Sequence, residues 1–204
     1  MIAVSMHNGN GTIGHMVSTY AIRLYAWSAY AFCDDSLQST MNGYFDVDSR
    51  FEWLDKIIRP KLLELKTLQE KISFTEQALL KRLSDVRENT VVNDTIQNIL
   101  INKGSLDIAK LAKKSFVSTR QLERLFHEYV GITPKKLSNL IRYQFLWRDI
   151  LCEPDFDVLS AVYKFGYTDQ SHLLREFKRY HSMDIHNARI MAFKDVGNIQ
   201  DVFV

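Results

Sequence analysis

The fold of this chain is decided by two stretches of sequence, Ser118-Thr-Arg-Gln-Leu-Glu-Arg-Leu-Phe126 and Asp169-Gln-Ser-His-Leu-Leu-Arg-Glu-Phe177. Each stretch opens with a residue type that favours the N-cap of a helix. Each then contains the pattern Leu-x-Arg-x-Phe, and the second copy follows the first at an offset of 51 residues. Because the pattern recurs with its cap residue, it indicates two copies of one structural unit.

The first copy predicts a helix, a tight turn and a second helix. Ser105 is the expected cap of the first helix, and Phe116-Val117 the expected turn. The second helix is expected at about 118–129. Its apolar stripe recurs at i, i+3, i+4 and i+7, as in a helix that faces a core. That stripe consists of Leu122, Leu125, Phe126 and Tyr129, and the opposite stripe of Arg120, Glu123, Arg124 and His127.

The second copy follows the same plan. Its turn is expected at Gly166-Tyr-Thr168 and its second helix at about 169–180, capped by Asp169. The expected inward residues of that helix are Leu173, Phe177 and Tyr180, and the expected outward residues are Ser171, Leu174, Arg175 and Lys178.

A linker helix is expected between the two copies. Thr133-Pro134 is a typical helix start, and the apolar pattern continues to about Leu151. At a rise of 1.5 Å per residue, such a helix is roughly 27 Å long. Successive major-groove faces of B-DNA lie about 34 Å apart. One linker helix is therefore of suitable length to place two reading helices in adjacent grooves.

The charge of the chain is unevenly distributed. Over 204 residues the formal net charge is only +2, which by itself argues against a nucleic-acid partner. Residues 96–194, however, contain 16 Lys and Arg against 10 Asp and Glu, whereas residues 1–95 contain 10 against 12. A mildly acidic N-terminal part therefore precedes a basic C-terminal part, and a basic segment favours contact with a phosphate backbone.

The N-terminal half shows a different pattern. Residues 17–27 alternate aromatic and β-branched side chains, which predicts one strand, with a second short strand at most at 43–47. Residues 1–16 are expected to be irregular. Apolar residues at helical spacing run from Phe51 to Val86, with an interruption at Pro60. The polar residues 87–95 are the expected domain boundary.

Several motifs of the C-terminal half belong together. They are Leu111-Ala112, Ser118-x-x-x-Leu122-x-Arg124-x-Phe126, Gly131-Ile-Thr-Pro134, Ile141-Arg-Tyr143, Phe165-Gly-Tyr-x-Asp169-Gln-Ser-His172 and Leu173-x-Arg175-x-Phe177-Lys-Arg179. In this combination, residues from about 95 to 190 resemble the paired helix-turn-helix domain of the AraC/XylS family of transcriptional regulators. Residues 17–90 more weakly resemble the C-terminal part of a sensor region found before this domain in some members.

The resemblance and the periodicity together predict a mainly α fold. It consists of a C-terminal all-α double helix-turn-helix domain joined by a linker helix, preceded by a small α+β N-terminal region. The expected domains are a partial, β-containing and sensor-like remnant at 1–50, a helical connector at 51–90, and the AraC-type DNA-binding domain at 95–194. The resemblance implies a sequence-specific regulator that reads adjacent major grooves with the helices at about 118–129 and 169–180.

Three departures from the family pattern support a second interpretation. Phe116 stands where a small turn residue is common, Ser182-Met-Asp-Ile185 replaces a closing Gly-x-x-Pro, and Ala161-Val162 replaces Ile-Ala. These changes weaken the second unit more than the first. The alternative is therefore a regulator with a degenerate second unit that acts mainly through a protein partner.

The candidate base-contacting residues are donors and acceptors on the outward stripes, where they can reach base edges. They are Arg120, Gln121, Glu123 and Arg124 in the first unit, and Gln170, Ser171, His172 and Arg175 in the second. The candidate phosphate-contacting residues are Thr133, Lys135, Lys136, Arg142, Lys178 and Arg179.

Other chemistries have little support in the sequence. Gly9-Asn-Gly-Thr-Ile-Gly14 matches a dinucleotide fingerprint literally, but a strand and no helix is expected after it. The six histidines and two cysteines form no zinc pattern and no nucleophilic pair. We therefore expect no enzyme, no metal and no cofactor, and two reduced, partly buried thiols.

The expected partner is double-stranded DNA. RNA polymerase is a further candidate, as is a small-molecule effector or a homodimer contact through the N-terminal region, where Trp27 and its tyrosine neighbours are a candidate pocket. No apolar run approaches the roughly 18 residues of a membrane span, and no signal peptide is visible. The chain is therefore expected to be cytoplasmic, without a membrane partner.

Overall fold

The computed structural model describes residues 2–8, 18–25, 27–34, 51–84, 86 and 89–194. The expected loop at Gly9–Gly14 and the expected short strand at 43–47 lie outside these residues. By its internal contacts the chain divides into two compact units. Unit one comprises residues 1–93 and 117–133, and unit two comprises residues 94–116 and 134–204.

A pair of antiparallel strands opens unit one. Strand β1 spans Ile2–Asn8 and strand β2 spans Ser18–Leu24, in a register that pairs Ile2 with Leu24 and Asn8 with Ser18. The prediction that residues 1–16 are irregular was therefore wrong for β1. Strand β2 needs a partner for its backbone N–H and C=O groups. Its side chains alternate as expected, with Ile22 and Leu24 buried.

The core of unit one is formed by β2 and the first helical segments. Phe51, Leu54, Ile58 and Leu62 are buried in one cluster with Ile22 and Leu24, among others. A π-helical stretch, Leu54–Ile58, leads directly into helix α1, Arg59–Glu64. Pro60, the expected interruption, lies where the π-helical stretch gives way to α1. It occupies the first turn of α1, where a missing N–H is tolerated.

Helix α2, Leu68–Ser84, follows in the same unit. Its start is held by a reciprocal cap, in which the Thr67 N–H donates to Glu70 at 3.0 Å and the Glu70 N–H donates to Thr67 Oγ1 at 3.2 Å. Tyr20 of β2 donates a hydrogen bond to the buried Thr75 of α2 at 3.3 Å. This bond joins the sheet to the helix.

Seven further helices occupy the rest of the described chain. They are α3 (Thr90–Ile101), α4 (Ile108–Lys114), α5 (Thr119–Tyr129), α6 (Pro134–Cys152), α7 (Val158–Phe165), α8 (Gln170–His181) and α9 (Ile185–Lys194). The mainly α fold with a small N-terminal β element is confirmed. Of the helices in the described ranges, none is both long and apolar enough to cross a bilayer.

Two helix starts differ from the prediction. Helix α3 begins at Thr90, inside the polar segment taken as a boundary, because the side chain of Asn89 accepts a hydrogen bond from the Val92 N–H at 3.1 Å. Helix α4 is capped by Asp107 and not by Ser105, since Asp107 accepts from the N–H groups of Ala109 and Lys110. In the α4 segment the actual cap lies two residues after the expected one.

The core of unit two lies between α6 and the three helices that follow it. Leu146, Ile150, Phe165, Leu173 and Phe177 are all at most 1% exposed. An ion pair of 2.7 Å between Lys164 and the buried Asp149 also joins α7 to α6. Neither cysteine forms a disulfide: Cys33 is buried in unit one, whereas Cys152 at the end of α6 is exposed, contrary to expectation.

The turn between α3 and α4 packs directly on α6. Gly104 is buried at φ +75°, and its carbonyl accepts a hydrogen bond of 2.7 Å from the Ser138 hydroxyl. A Cβ atom at position 104 would clash with the backbone carbonyl oxygen of Ser138 and would lie 2.6 Å from the backbone nitrogen of Arg142. Helix α6 is thus fixed to this turn at backbone contact distance.

Replacing Gly104 by Ala is expected to lower the free energy of unfolding by about 3 kcal/mol or more, because both the positive φ and the backbone of α6 oppose a side chain. Gly166→Ala is the matched comparison. Gly166 also has a positive φ, but its Cβ would meet the Ser105 hydroxyl, which can rotate away. Its expected cost is about 1 kcal/mol. Urea unfolding of both variants measures the difference, and equal losses would contradict this packing.

Candidate nucleic-acid interface

Helix α5 is held at its start by a capping box. The Gln121 N–H donates to Ser118 Oγ at 3.2 Å, and the Ser118 N–H donates to Gln121 Oε1 at 2.8 Å. Leu122 and Phe126 are completely buried, as expected. Leu125 and Tyr129, predicted as inward, are only half-buried. The cap and the two buried residues fix which face of α5 points outward.

The outward face of α5 carries every base-contacting residue predicted for the first helix-turn-helix copy. Arg120, Gln121, Glu123 and Arg124 are exposed and line one open depression with Ser118 and His127. Two guanidinium groups supply donors and one carboxylate supplies an acceptor. Because the Gln121 carbonyl accepts the Ser118 N–H in the capping box, the amide is turned toward the start of its own helix. Two-point pairing of this amide with an adenine edge would require the cap to open.

Helix α8 repeats this arrangement in unit two. Asp169 Oδ1 accepts a hydrogen bond of 2.7 Å from the His172 N–H, which confirms Asp169 as the cap. Leu173 and Phe177 are completely buried, and Tyr180 is half-buried. The predicted base contacts Gln170, Ser171 and Arg175 are exposed.

His172 differs from the other predicted base contacts. Its Nδ1 accepts a hydrogen bond of 3.4 Å from the Thr168 N–H, which leaves the ring proton on Nε2 in the neutral form. Its ring meets the edge of Tyr167 at 5.3 Å between centroids, and its Nε2 lies 3.8 Å from a Glu176 oxygen. The His172 side chain therefore already has contacts within unit two, and its Nε2–H remains as a donor for DNA.

Arg142 was predicted to contact phosphate, and the structure places it elsewhere. Its side chain is 8% exposed and donates from Nη2 to both Glu176 oxygens at 2.9 Å and from Nε to one of them at 3.3 Å. Its guanidinium also lies 4.3 Å from the Tyr167 ring centroid. A cation enclosed in this way is not available to a phosphate group at the surface.

The other predicted phosphate contacts are more accessible. Lys135 and Lys136 are exposed in the first turn of α6, and Lys178 and Arg179 are exposed in the last turn of α8. Thr133, directly before α6, is half-buried.

Glu176 and Tyr167 are residues that the sequence interpretation missed. Tyr167 donates a hydrogen bond to Glu176 at 3.1 Å, and burial together with the Glu176 charge raises the pKa of the Tyr167 phenol. One signal was present in the sequence. Glu176 lies between Leu173 and Phe177 on the inward side of α8, where an acidic residue requires a partner.

Two non-glycine residues adopt left-handed backbone conformations at the departures noted in the sequence. Phe116, in the turn after α4, has φ +56° and a side chain that is 98% exposed. Ser182, which ends α8, has φ +63°. The glycine of the family pattern would adopt the Ser182 conformation without strain, so its replacement has a local cost.

The inner end of α8 is packed against aromatic rings of α6. The hydroxyl of Tyr143 and Nδ1 of His181 are 2.7 Å apart. His181 stacks on Phe177, with 5.0 Å between ring centroids, and lies 4.4 Å from Trp147. Burial lowers the pKa of His181 and raises the pKa of Tyr143. The phenol therefore stays protonated and can donate to a neutral His181.

This environment predicts a pH effect on stability. Because the folded-state pKa of His181 is below its unfolded value, unfolding takes up a proton, and stability falls as the pH drops through about 6.5 toward the lowered pKa. His181→Gln should reduce the loss of unfolding free energy between about pH 7.5 and pH 5.5. Urea titrations at both pH values measure it. The exposed His186 provides the control variant His186→Gln, and an equal reduction in both variants would contradict the prediction.

Comparison with known proteins agrees with this geometry. Residues 111–189, from α4 into α9, match the family model of a helix-turn-helix domain. The chain is 26% identical over 111 residues to a Haemophilus influenzae protein described as an uncharacterized HTH-type transcriptional regulator. That match covers 54% of this chain and 36% of the relative, so the chain spans about a third of the relative's length. No solved structure gives a significant match.

The repeated capped helices, their outward polar faces and both matches lead to one assignment. Residues 111–189 form a helix-turn-helix domain, and the comparisons support the resemblance to the AraC family over this part of the chain.

Proposed function

We propose that this chain is a sequence-specific transcription regulator that binds duplex DNA with α5 and α8 as its two reading helices. The observation that carries the proposal is the repetition of one arrangement. Each helix has a side-chain cap, a completely buried Leu and Phe on one face, and exposed polar residues on the other. This is the arrangement of a recognition helix, whose outer face enters the major groove.

Helix α5 offers contacts to two kinds of base edge. Arg120 and Arg124 can each donate two hydrogen bonds to guanine O6 and N7, and Glu123 can accept from the cytosine amino group. Gln121 contributes less to this reading, because its carbonyl completes the cap and turns the amide toward the helix start. We therefore assign G·C preference to the bases that α5 reads.

Helix α8 offers a more mixed face. Arg175 suits guanine, and Gln170 and Ser171 can both donate and accept. Leu174 is 43% exposed on the same side and suits a thymine methyl group. His172 remains a proposed base contact through its Nε2–H alone, since Nδ1 is occupied by the Thr168 N–H.

Phosphate contacts supply affinity without sequence information. We assign Lys135, Lys136, Lys178, Arg179 and Thr133 to this role, and withdraw Arg142 because it is enclosed. Helix α6 has 19 residues and is therefore roughly 28 Å long, a suitable span between reading helices in successive grooves. We propose that this regulator is cytoplasmic and acts there on chromosomal DNA. RNA polymerase, an effector and a second copy of the chain remain predicted partners.

Two observations favour a second candidate, in which the second helix-turn-helix copy is degenerate and a protein partner replaces its DNA contacts. Ser182, the C-cap of α8, is left-handed, and His172 on the reading face already accepts a hydrogen bond from the Thr168 N–H. Double replacement of His172 and Arg175 by Ala distinguishes the two candidates. Unchanged specific binding supports the degenerate unit, and lost specificity at one half-site supports two reading helices.

Mobility-shift titration at several salt concentrations tests the proposal. The full chain should prefer a cognate duplex, and log K should fall linearly with log salt. Arg124→Ala and Arg175→Ala should each weaken cognate binding by about 1–3 kcal/mol and relax the base preference at one position. Lys81→Ala removes an exposed positive charge on α2, which is not a reading helix, and should leave preference unchanged. Absence of both sequence preference and a salt slope would overturn the proposal.

A further inference from the structure

We infer that Glu176 is a positioning residue for sequence reading by α8, acting through a carboxylate clamp that joins α8 to α6. The clamp consists of Glu176 on α8, Arg142 on α6 and Tyr167 in the turn between α7 and α8. This inference rests on the proposed function, and deepens it by naming the residues that set the orientation of one reading helix.

The clamp is defined by directional contacts from two sides. Arg142 donates to both oxygens of Glu176, each at 2.9 Å from Nη2, and Tyr167 donates to one of them at 3.1 Å. The Tyr167 ring covers the guanidinium at 4.3 Å. Arg142 also approaches Asn139 Oδ1 at 3.5 Å. Three chain segments therefore meet at one carboxylate.

Burial makes the loss of either charged partner energetically costly. The Arg142 and Glu176 side chains are 8% and 10% exposed, so both charges have lost most of their hydration. A buried ion pair of this kind adds little net stability compared with apolar residues, but removal of one partner leaves an uncompensated charge. We therefore attribute the Arg142–Glu176 pair to the orientation of α8 and not to net stability.

Apolar packing sets which face of α8 is buried, but it fixes the rotation of the helix only coarsely. Leu173 and Phe177 hold the helix against the core, but dispersion contacts have no strong directional preference. The hydrogen bonds from Arg142 and Tyr167 do have one. Because Arg175 precedes Glu176 directly and is exposed, a rotation about the helix axis that breaks the clamp also moves the Arg175 guanidinium relative to a base edge.

The clamp also reaches the reading face itself. His172 Nε2 lies 3.8 Å from Glu176 Oε2, one helical turn away, and its ring edge contacts Tyr167. Loss of the Glu176 charge would therefore free a predicted base contact as well as loosen the helix. A change confined to Glu176 should alter base preference without alteration of any exposed residue.

The test compares base preference at the two half-sites in the full chain, using duplexes with every base substituted in turn. Glu176→Gln should reduce cognate affinity by about tenfold to a hundredfold. The loss should be concentrated at the bases read by α8, with preference at the bases read by α5 retained. Tyr167→Phe, which removes one hydrogen bond and keeps the ring, should give the same pattern at smaller size. This variant keeps the test informative if Glu176→Gln folds poorly.

The control is Glu153→Gln, the same change at an exposed carboxylate that pairs with Lys164. It should leave both half-sites unchanged. The clamp is overturned if folded Glu176→Gln and Tyr167→Phe keep full preference at the α8 half-site. It is also overturned if the loss is spread equally over both half-sites. The proposed function stands in both cases. A wild-type chain without any sequence preference would overturn the proposed function and the clamp together.

Discussion

The burial of one Leu and one Phe, four residues apart on each reading helix, is the constraint on which the other features depend. Leu122 with Phe126, and Leu173 with Phe177, are all completely buried. Because a helix repeats every 3.6 residues, burial of this stripe determines which residues remain outside. The side chains available to a base edge follow from packing, and the caps at Ser118 and Asp169 fix where each helix begins.

The outward faces offer fewer free hydrogen-bonding atoms to DNA than their composition suggests. Gln121 uses its carbonyl in the capping box, and His172 uses Nδ1 to accept from the Thr168 N–H. His172 therefore offers only a donor, and the Gln121 amide is turned toward the start of its own helix. A residue at the start of a recognition helix thus has two roles that compete for the same atoms, and the cap decides which atoms remain for DNA.

Local rules predicted the parts of the fold that depend on nearby residues. The two reading helices, their caps and the linker helix follow from periodicity and from cap residues within a few positions. The partner of β2 could not be predicted in this way, because pairing of Ile2 with Leu24 depends on residues distant in sequence. The cap of α4 was misassigned because Ser105 and Asp107 are both competent.

The same distinction separates the predicted and missed parts of the site. Exposed polar residues at helical spacing could be predicted, whereas the partner of Arg142 lies 34 residues away. From the sequence alone, a basic residue on a linker helix is readily assigned to a phosphate contact. The carboxylate that pairs with it becomes visible only in the tertiary structure. Glu176 on an inward face was the available indication that such a partner exists.

Selection of binding sequences from randomised duplex DNA with the full chain tests the central claim most directly. Two reading helices predict two blocks of base preference with centres about 10 base pairs apart, one helical turn of B-DNA. A single block, or no preference at any position, would contradict the claim.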